Sequence, residues 1–245
     1  MIDRRTTSGC LLSSCVLLSC THSAASPWQG VDPATWQAVR QAYEEQRGAR
    51  PSRPWAAGVR MSMREPRQGR VIDGRGAIAV APGRALRMIL VGAAGATLLD
   101  AWMTPDKWRI SVPPAALLRQ GDVEAPADLP VGFLRWLFFR PLEGTLFAGS
   151  GQSGRMLFML RDNDAVIEVH LGACDRGELV TMTRRSHGRT ERLEECRASR
   201  VPRPDDWVRY EDQGNGFQVA LTIESVAEAP PDADAFRDPA LEAAP

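Results

Sequence analysis

The sequence predicts an α+β protein built on a curled antiparallel β-sheet. Three observations predict it. Apolar and polar residues alternate through a succession of short runs separated by glycine, proline and Asx turns. One amphipathic helical pattern precedes those runs, and one short, almost wholly apolar helical run interrupts them. About ten short strands is near the size at which open sheets curl, and a curled sheet has an inside that an apolar helix can cover.

The chain begins with a targeting segment. Arg4 and Arg5 form a small basic region, and Gly9 to Ser19 is apolar or small throughout, the pattern of a signal peptide and not of a transmembrane helix. It ends in Leu17-Leu18-Ser19-Cys20, which resembles the lipobox of bacterial lipoproteins, where the cysteine is acylated and the leader removed. The resemblance implies residues 1–19 as signal peptide and Cys20 as the lipidated mature N-terminus. Leu12-Ser13-Ser14-Cys15 fits the same pattern, but leaves an apolar stretch shorter than the usual length of about 7 to 15 residues. An ordinary secretory signal with incidental cysteines is the competing reading. Residues 20–30, with Pro27, read as a polar tether, residues 31–227 as a single domain, and the Pro-, Ala- and Asp-rich residues 228–245 as a tail that wraps or frays.

Within the domain, Asp32-Pro33 supplies a cap followed by proline at the first helical position. Trp36, Val39, Ala42 and Tyr43 then recur at helical spacing, so a helix is expected over residues 33–47. From Trp55 the period changes to two, with Val59, Met61 and Met63 alternating with Arg60, Ser62 and Arg64. Further strands are expected at Ala77 to Ala81, Leu86 to Leu90, Leu98 to Met103 and Trp108 to Val112, with Pro82-Gly83 and Gly92-Ala93-Ala94-Gly95 as turns and Pro113-Pro114 as a stop. Residues 129–140 are the densest apolar stretch. Wrapped as a helix they leave little polar surface, so both sides must meet something apolar, and they are too short to span a bilayer. Strands resume at Met156 to Leu160, Val166 to Leu171, Leu179 to Thr183, Thr190 to Arg197, Trp207 to Tyr210 and Phe217 to Ile223. Asp162-Asn163-Asp164, Asp175-Arg176-Gly177 and Ser186-His187-Gly188 carry hairpin chemistry between them.

Charge and chemistry narrow the function. Acidic and basic residues balance to a formal charge of zero, which gives no global field toward nucleic acid. His22, His170 and His187 fall in the tether, on the polar side of a strand and in a turn, so no metal or catalytic cluster is visible and no cofactor is expected. The run from Gly149 to Gly154 lacks the order of a nucleophile elbow and reads as a flexible loop. Cys174 and Cys196 are the thiols left beside Cys20. Folding the strands about Ser186-His187-Gly188 sets Cys196 opposite Glu178, and the turn at Asp175-Arg176-Gly177 brings Cys174 beside the same position, so a disulfide is geometrically reasonable in an oxidising compartment. Two buried free thiols are the alternative.

The runs Gly76-Ala77-Ile78-Ala79-Val80, Leu86 to Val91 into Gly92-Ala93-Ala94-Gly95-Ala96-Thr97, and Leu129-Pro130-Val131-Gly132-Phe133-Leu134-Arg135-Trp136-Leu137-Phe138-Phe139-Arg140-Pro141 resemble LolB, the outer-membrane lipoprotein receptor. The likeness is patchy over most of the mature chain. It implies an incomplete β-barrel closed by helices, whose apolar hollow receives the acyl chains of a lipoprotein from a LolA-like carrier, on a protein anchored by lipid in the outer membrane and facing the periplasm. In such a fold Leu86, Met88, Leu90, Trp102, Phe133, Trp136, Leu137 and Phe138 would line the hollow. In one departure, Ala94 stands where that receptor's membrane-facing loop carries leucine; a methyl group offers less apolar surface, so insertion there is expected to be weaker. The expected function is reversible burial of acyl chains, with transfer of lipoproteins or lipids, and no enzymatic step. The alternative is a lipoprotein scaffold that binds a protein partner in envelope assembly and has no ligand cavity. An envelope hydrolase would need a nucleophile and base that the sequence does not offer.

Overall fold

The fold is seen in a computed structural model that describes residues 32–64, 66, 69–122, 131–139, 142–152 and 155–239. Cys20, His22, the signal peptide and the tether lie outside the described residues. Helix α1 (Pro33–Gly48) starts where the sequence places it: the Asp32 carboxylate accepts hydrogen bonds from the backbone N–H groups of Ala34 and Thr35, both at 3.0 Å. Its Val39 and Tyr43 are buried, and it lies on β7 and β8.

The strands are β1 (Trp55–Arg64), β2 (Val71–Ala81), β3 (Ala85–Val91), β4 (Thr97–Met103), β5 (Trp108–Val112) and β6 (Leu117–Gly121). After helix α2 (Val131–Phe138) come β7 (Thr145–Gln152), β8 (Arg155–Asp162), β9 (Ala165–Cys174), β10 (Gly177–Ser186), β11 (Arg189–Arg197), β12 (Trp207–Asp212) and β13 (Phe217–Val226). All thirteen belong to one antiparallel sheet in the order β6-β5-β4-β3-β2-β1-β13-β12-β11-β10-β9-β8-β7. Two meanders, β1 to β6 and β7 to β13, are therefore sewn together along one seam, where Val59 faces Ile223, Met61 faces Leu221 and Met63 faces Val219. The predicted hairpin turns are found, with Asn163 and His187 in the left-handed region at φ 48° and 49°, a conformation that short polar side chains tolerate better than most.

The expected curled sheet, an incomplete β-barrel closed by helices, is not what forms. The sheet is open: β6 and β7 are its two edges and do not pair with each other. Closure is one way to protect apolar faces and strand edges, but here the two helices lie against a single face and bury it without it. Val39 of α1 packs against Gly149 of β7, where an added Cβ would come within 2.3 Å of the valine. Phe133 and Trp136 of α2 stack on Tyr210 of β12 at ring separations of 5.2 and 6.4 Å. The run read as a flexible loop is also corrected in part. Gly149 to Gln152 is the second half of edge strand β7, where Gly149 makes room for Val39 of α1 and Gly151 lies against the Met156 side chain of β8.

The covered face carries one continuous core from Ile110 through Met88, Ile78, Met61, Leu221 and Leu193 to Val169 and Phe158. On the opposite face lie residues 232–236. Asp232 caps a short 3-10 turn at Ala233–Phe236, and the Trp102 indole N–H donates to the Phe236 carbonyl at 2.9 Å. No helix among the described residues is long and apolar enough to cross a membrane.

Candidate ligand cleft

Side-chain alternation divides the eight predicted lining residues. In the β3–β4 ladder Leu86 faces Met103, Met88 faces Ala101 and Leu90 faces Leu99, all on the covered face. Trp102 pairs with Arg87 and so points to the other side, beneath the C-terminal segment. Leu86, Met88, Leu90, Phe133 and Trp136 are packed in the core. Leu137 and Phe138, at the last turn of α2, instead reach the wall of an open cleft of about 350 Å³, within the range of about 300–1,000 Å³ usual for ligand sites. Ala94 is exposed in the β3–β4 turn.

The cleft sits where α2 ends above the seam of the sheet. Its floor comes from Trp55 of β1, Val80 of β2, Val208 of β12 and Leu221 and Ile223 of β13, with Phe139 and Leu142 beyond the helix. Trp55 and Phe138 hold each other across it, with ring centroids 6.2 Å apart. Four strands from two distant parts of the sequence therefore contribute residues to one apolar concavity, which α2 roofs on one side only.

The rim is charged, and most of its charge is already matched. Both Nη atoms of Arg50 donate to the Glu195 carboxylate at 2.9 and 2.7 Å, a bidentate geometry that fixes both side chains. Arg197, buried, donates to Glu178 at 2.9 Å and to the Gln46 side-chain carbonyl. Gln46 in turn donates to Glu178 at 2.7 Å. The last turn of α1 is thereby locked to β10 and β11. Asp206 accepts from the backbone N–H groups of Ala198 at 3.0 Å and Arg203 at 2.8 Å, shaping the loop before β12. These rim residues escaped sequence reasoning, because those on α1, β10 and β11 show only which side they face, and Arg50 and Asp206 lie in loops.

Cys196 also borders the cleft, and it is joined to Cys174 with the α-carbons 6.1 Å apart. The expected disulfide forms, in a register one residue from the expected one. Cys196 faces Leu179 while Glu178 faces Arg197, and Cys174 faces Gly177. The shift decides the side of the sheet: both sulfurs cross the start of β10 on the face opposite the core, while Glu178 and Arg197 turn inward to meet α1.

At the other end of β11 and β12 lies a second charged group, away from the cleft. Tyr210 donates to Glu191 at 2.7 Å; burial first, and then the Glu191 carboxylate, push its phenol far above the ordinary range, so it remains a donor. Arg189 spans Glu191 at 3.3 Å and the buried Asp212 at 2.7 Å. Burial works against its charge, but the two carboxylates outweigh that and raise it. His170 and His187 stand apart and exposed, on β9 beside Glu168 and in the β10–β11 turn.

No protein-family model and no curated protein sequence matches the chain. Among solved structures, it is similar to a LolA superfamily protein from Nitrosomonas europaea at 10% identity and a TM-score of 0.47, over 84% of this chain and 99% of that one. It is similar to a domain assigned as an outer membrane lipoprotein-sorting protein from Vibrio parahaemolyticus at 9% identity and 0.49, over 83% and 97%. A DUF1329 family protein from Desulfovibrio piger aligns at 11% identity and 0.46, over 84% and 99%. Likeness at this level leaves function to be argued from the site itself.

Proposed function

We propose that this protein is a lipid-anchored component of the bacterial envelope that takes up an acyl chain in the cleft at the end of α2, without covalent chemistry, and so handles lipoproteins or lipids. The observation that supports it most is the combination of a 350 Å³ opening with a floor built from Trp55, Val80, Phe138, Leu221 and Ile223. Burial of each methylene contributes about 0.8 kcal/mol, so a few carbons held there give useful affinity that remains reversible. The Cys20 anchor would keep the cleft near a membrane, where such chains and a LolA-like carrier are found.

The filled interior beneath α2 favours the second reading, a scaffold for a protein partner. A titration with a fluorescent fatty acid separates the two. The acyl reading expects saturable binding that weakens on Phe138→Ala, whereas absence of binding to any acyl probe would replace the carrier with the scaffold. For the anchor, Cys20→Ala should move the protein from the membrane fraction to the soluble periplasm, or leave it unprocessed; unchanged partitioning would remove the lipoprotein reading.

A further inference from the structure

We propose that the mouth of the cleft recognises an anionic headgroup, a phosphate or carboxylate borne on the buried chain. This rests on the acyl reading and adds the chemical class of the ligand's polar end.

The charged side chains around the opening differ in how far they are already engaged. Arg47, Arg50, Arg197 and Arg200 line the cleft with Glu143, Glu195 and Asp206. Glu195 is held by Arg50, Asp206 is occupied by two backbone donors, and Glu143 has an interaction of its own. Arg197 is likewise committed to Glu178 and Gln46. With Asp206 and Glu143 engaged by other groups, the charged side chains at the mouth that still present donors are those of Arg47 and Arg200. Among the described residues Arg200 has no hydrogen bond or ion pair. Arg47 has the Tyr43 ring, with its guanidinium 5.4 Å from the centroid, and a loose contact to Glu44 at 3.6 Å, with more than half of its side chain in solvent. One guanidinium without such a partner and one held only loosely, over an apolar floor, suit a ligand with an acidic head and an apolar tail. Low-dielectric walls strengthen their field at the opening, and a guanidinium presents paired donors that fit a carboxylate or phosphate.

The test compares dodecyl phosphate, dodecanoate, dodecyl maltoside and dodecyltrimethylammonium, all below micelle formation, and inorganic phosphate alone, by calorimetric titration of the full chain. The expected result is binding of the two anionic probes about fivefold or more tighter than the maltoside, the size that two weakly screened surface pairs supply. The preference should fall with added salt. The double variant Arg47→Gln/Arg200→Gln should collapse that ratio toward one, and its two exposed sites leave the fold in place by circular dichroism. Inorganic phosphate should not compete, which assigns recognition to the headgroup of an amphiphile and not to a free anion. Equal binding of all heads, a preference for the cationic head, an anionic preference that survives the double variant, or competition by phosphate as strong as by dodecyl phosphate would each overturn the inference while leaving the acyl reading intact. Failure of every chain-bearing probe would remove both.

Discussion

The two wings of the sheet use opposite means to bury the same face. From β2 to β5 the covered side is apolar throughout, with Ile78, Leu86, Met88, Leu90, Leu99, Met103 and Ile110 all buried. From β10 to β12 the middle is equally apolar, but both ends carry buried charge: Arg197 with Glu178 beside α1, and Asp212 and Glu191 with Arg189 at the far end. The first wing gains stability from area alone and tolerates exchange among side chains of similar volume. The second must keep particular partners, since a buried charge without its mate is costly. The cleft opens at the seam between the wings, with its apolar floor drawn from both and its charged rim from the second wing and the end of α1.

Perturbations at five places probe that contrast, beginning with the largest effect. Trp136→Ala should lose about 3 to 5 kcal/mol in a denaturant melt, as a buried aromatic truncated to a cavity does, with little change in acyl affinity because Trp136 is outside the cleft. Among the described residues its indole N–H has no hydrogen-bond partner, so Trp136→Phe should cost much less. Asp212→Ala should cost about 3 kcal/mol, the lower end for losing one partner of a buried pair, because Arg189 keeps 35% of its side chain in solvent. Reducing Cys174–Cys196, 22 residues apart, should lower stability by about 3 kcal/mol on the chain-entropy account. Thiol labelling of the unreduced, unfolded protein should find neither cysteine. If reduction instead spares stability, the second wing does not depend on its staple.

Gly149→Ala should cost about 1 to 3 kcal/mol, since its methyl would press on Val39 and displace α1; a neutral result would show that the helix is loosely seated. The smallest effect concerns pH. Partial burial pulls the Glu168 carboxyl upward, but the hydrogen bonds from His170 and Arg185 prevail and leave it below its ordinary value. Its stabilisation is therefore present above the unfolded value of about 4.3 and is lost as pH falls through the lower folded one. On this exposed patch the loss is under about 1 kcal/mol. A stability profile of Glu168→Gln should be flatter than wild type in that acid window, and an unchanged slope would show that the pair contributes nothing.

What could be read from the sequence follows the range of the interactions concerned. The Asp32-Pro33 start of α1, the hairpin turns and the apolar α2 rest on neighbours in sequence, and the Cys174–Cys196 link rests on two adjacent hairpins. Sheet closure depends on whether β6 and β7 meet, which no local pattern encodes. Strand β7 was hidden because Gly149 and Gly151 erase its alternation, and the reason for glycine at 149 is a helix about a hundred residues earlier. Trp102 has the composition of a lining residue, but its pairing with Arg87 sends it to the other face. The cleft draws on residues from Arg47 to Ile223, so its apolar members looked like core and its arginines like ordinary surface.

The seam between β1 and β13 also orders events in time. Each wing is a run of hairpins whose contacts close over short loops, whereas the seam joins groups such as Arg60 and Glu224, 164 positions apart. Loop-closure entropy delays contacts of that span. The first meander emerges from synthesis complete except for one edge and must wait, with the β13-facing side of β1 unpaired, until nearly the whole chain has been delivered. During that interval the floor of the cleft does not exist, and the exposed strand is a place for a holding chaperone to bind or for two nascent chains to pair wrongly.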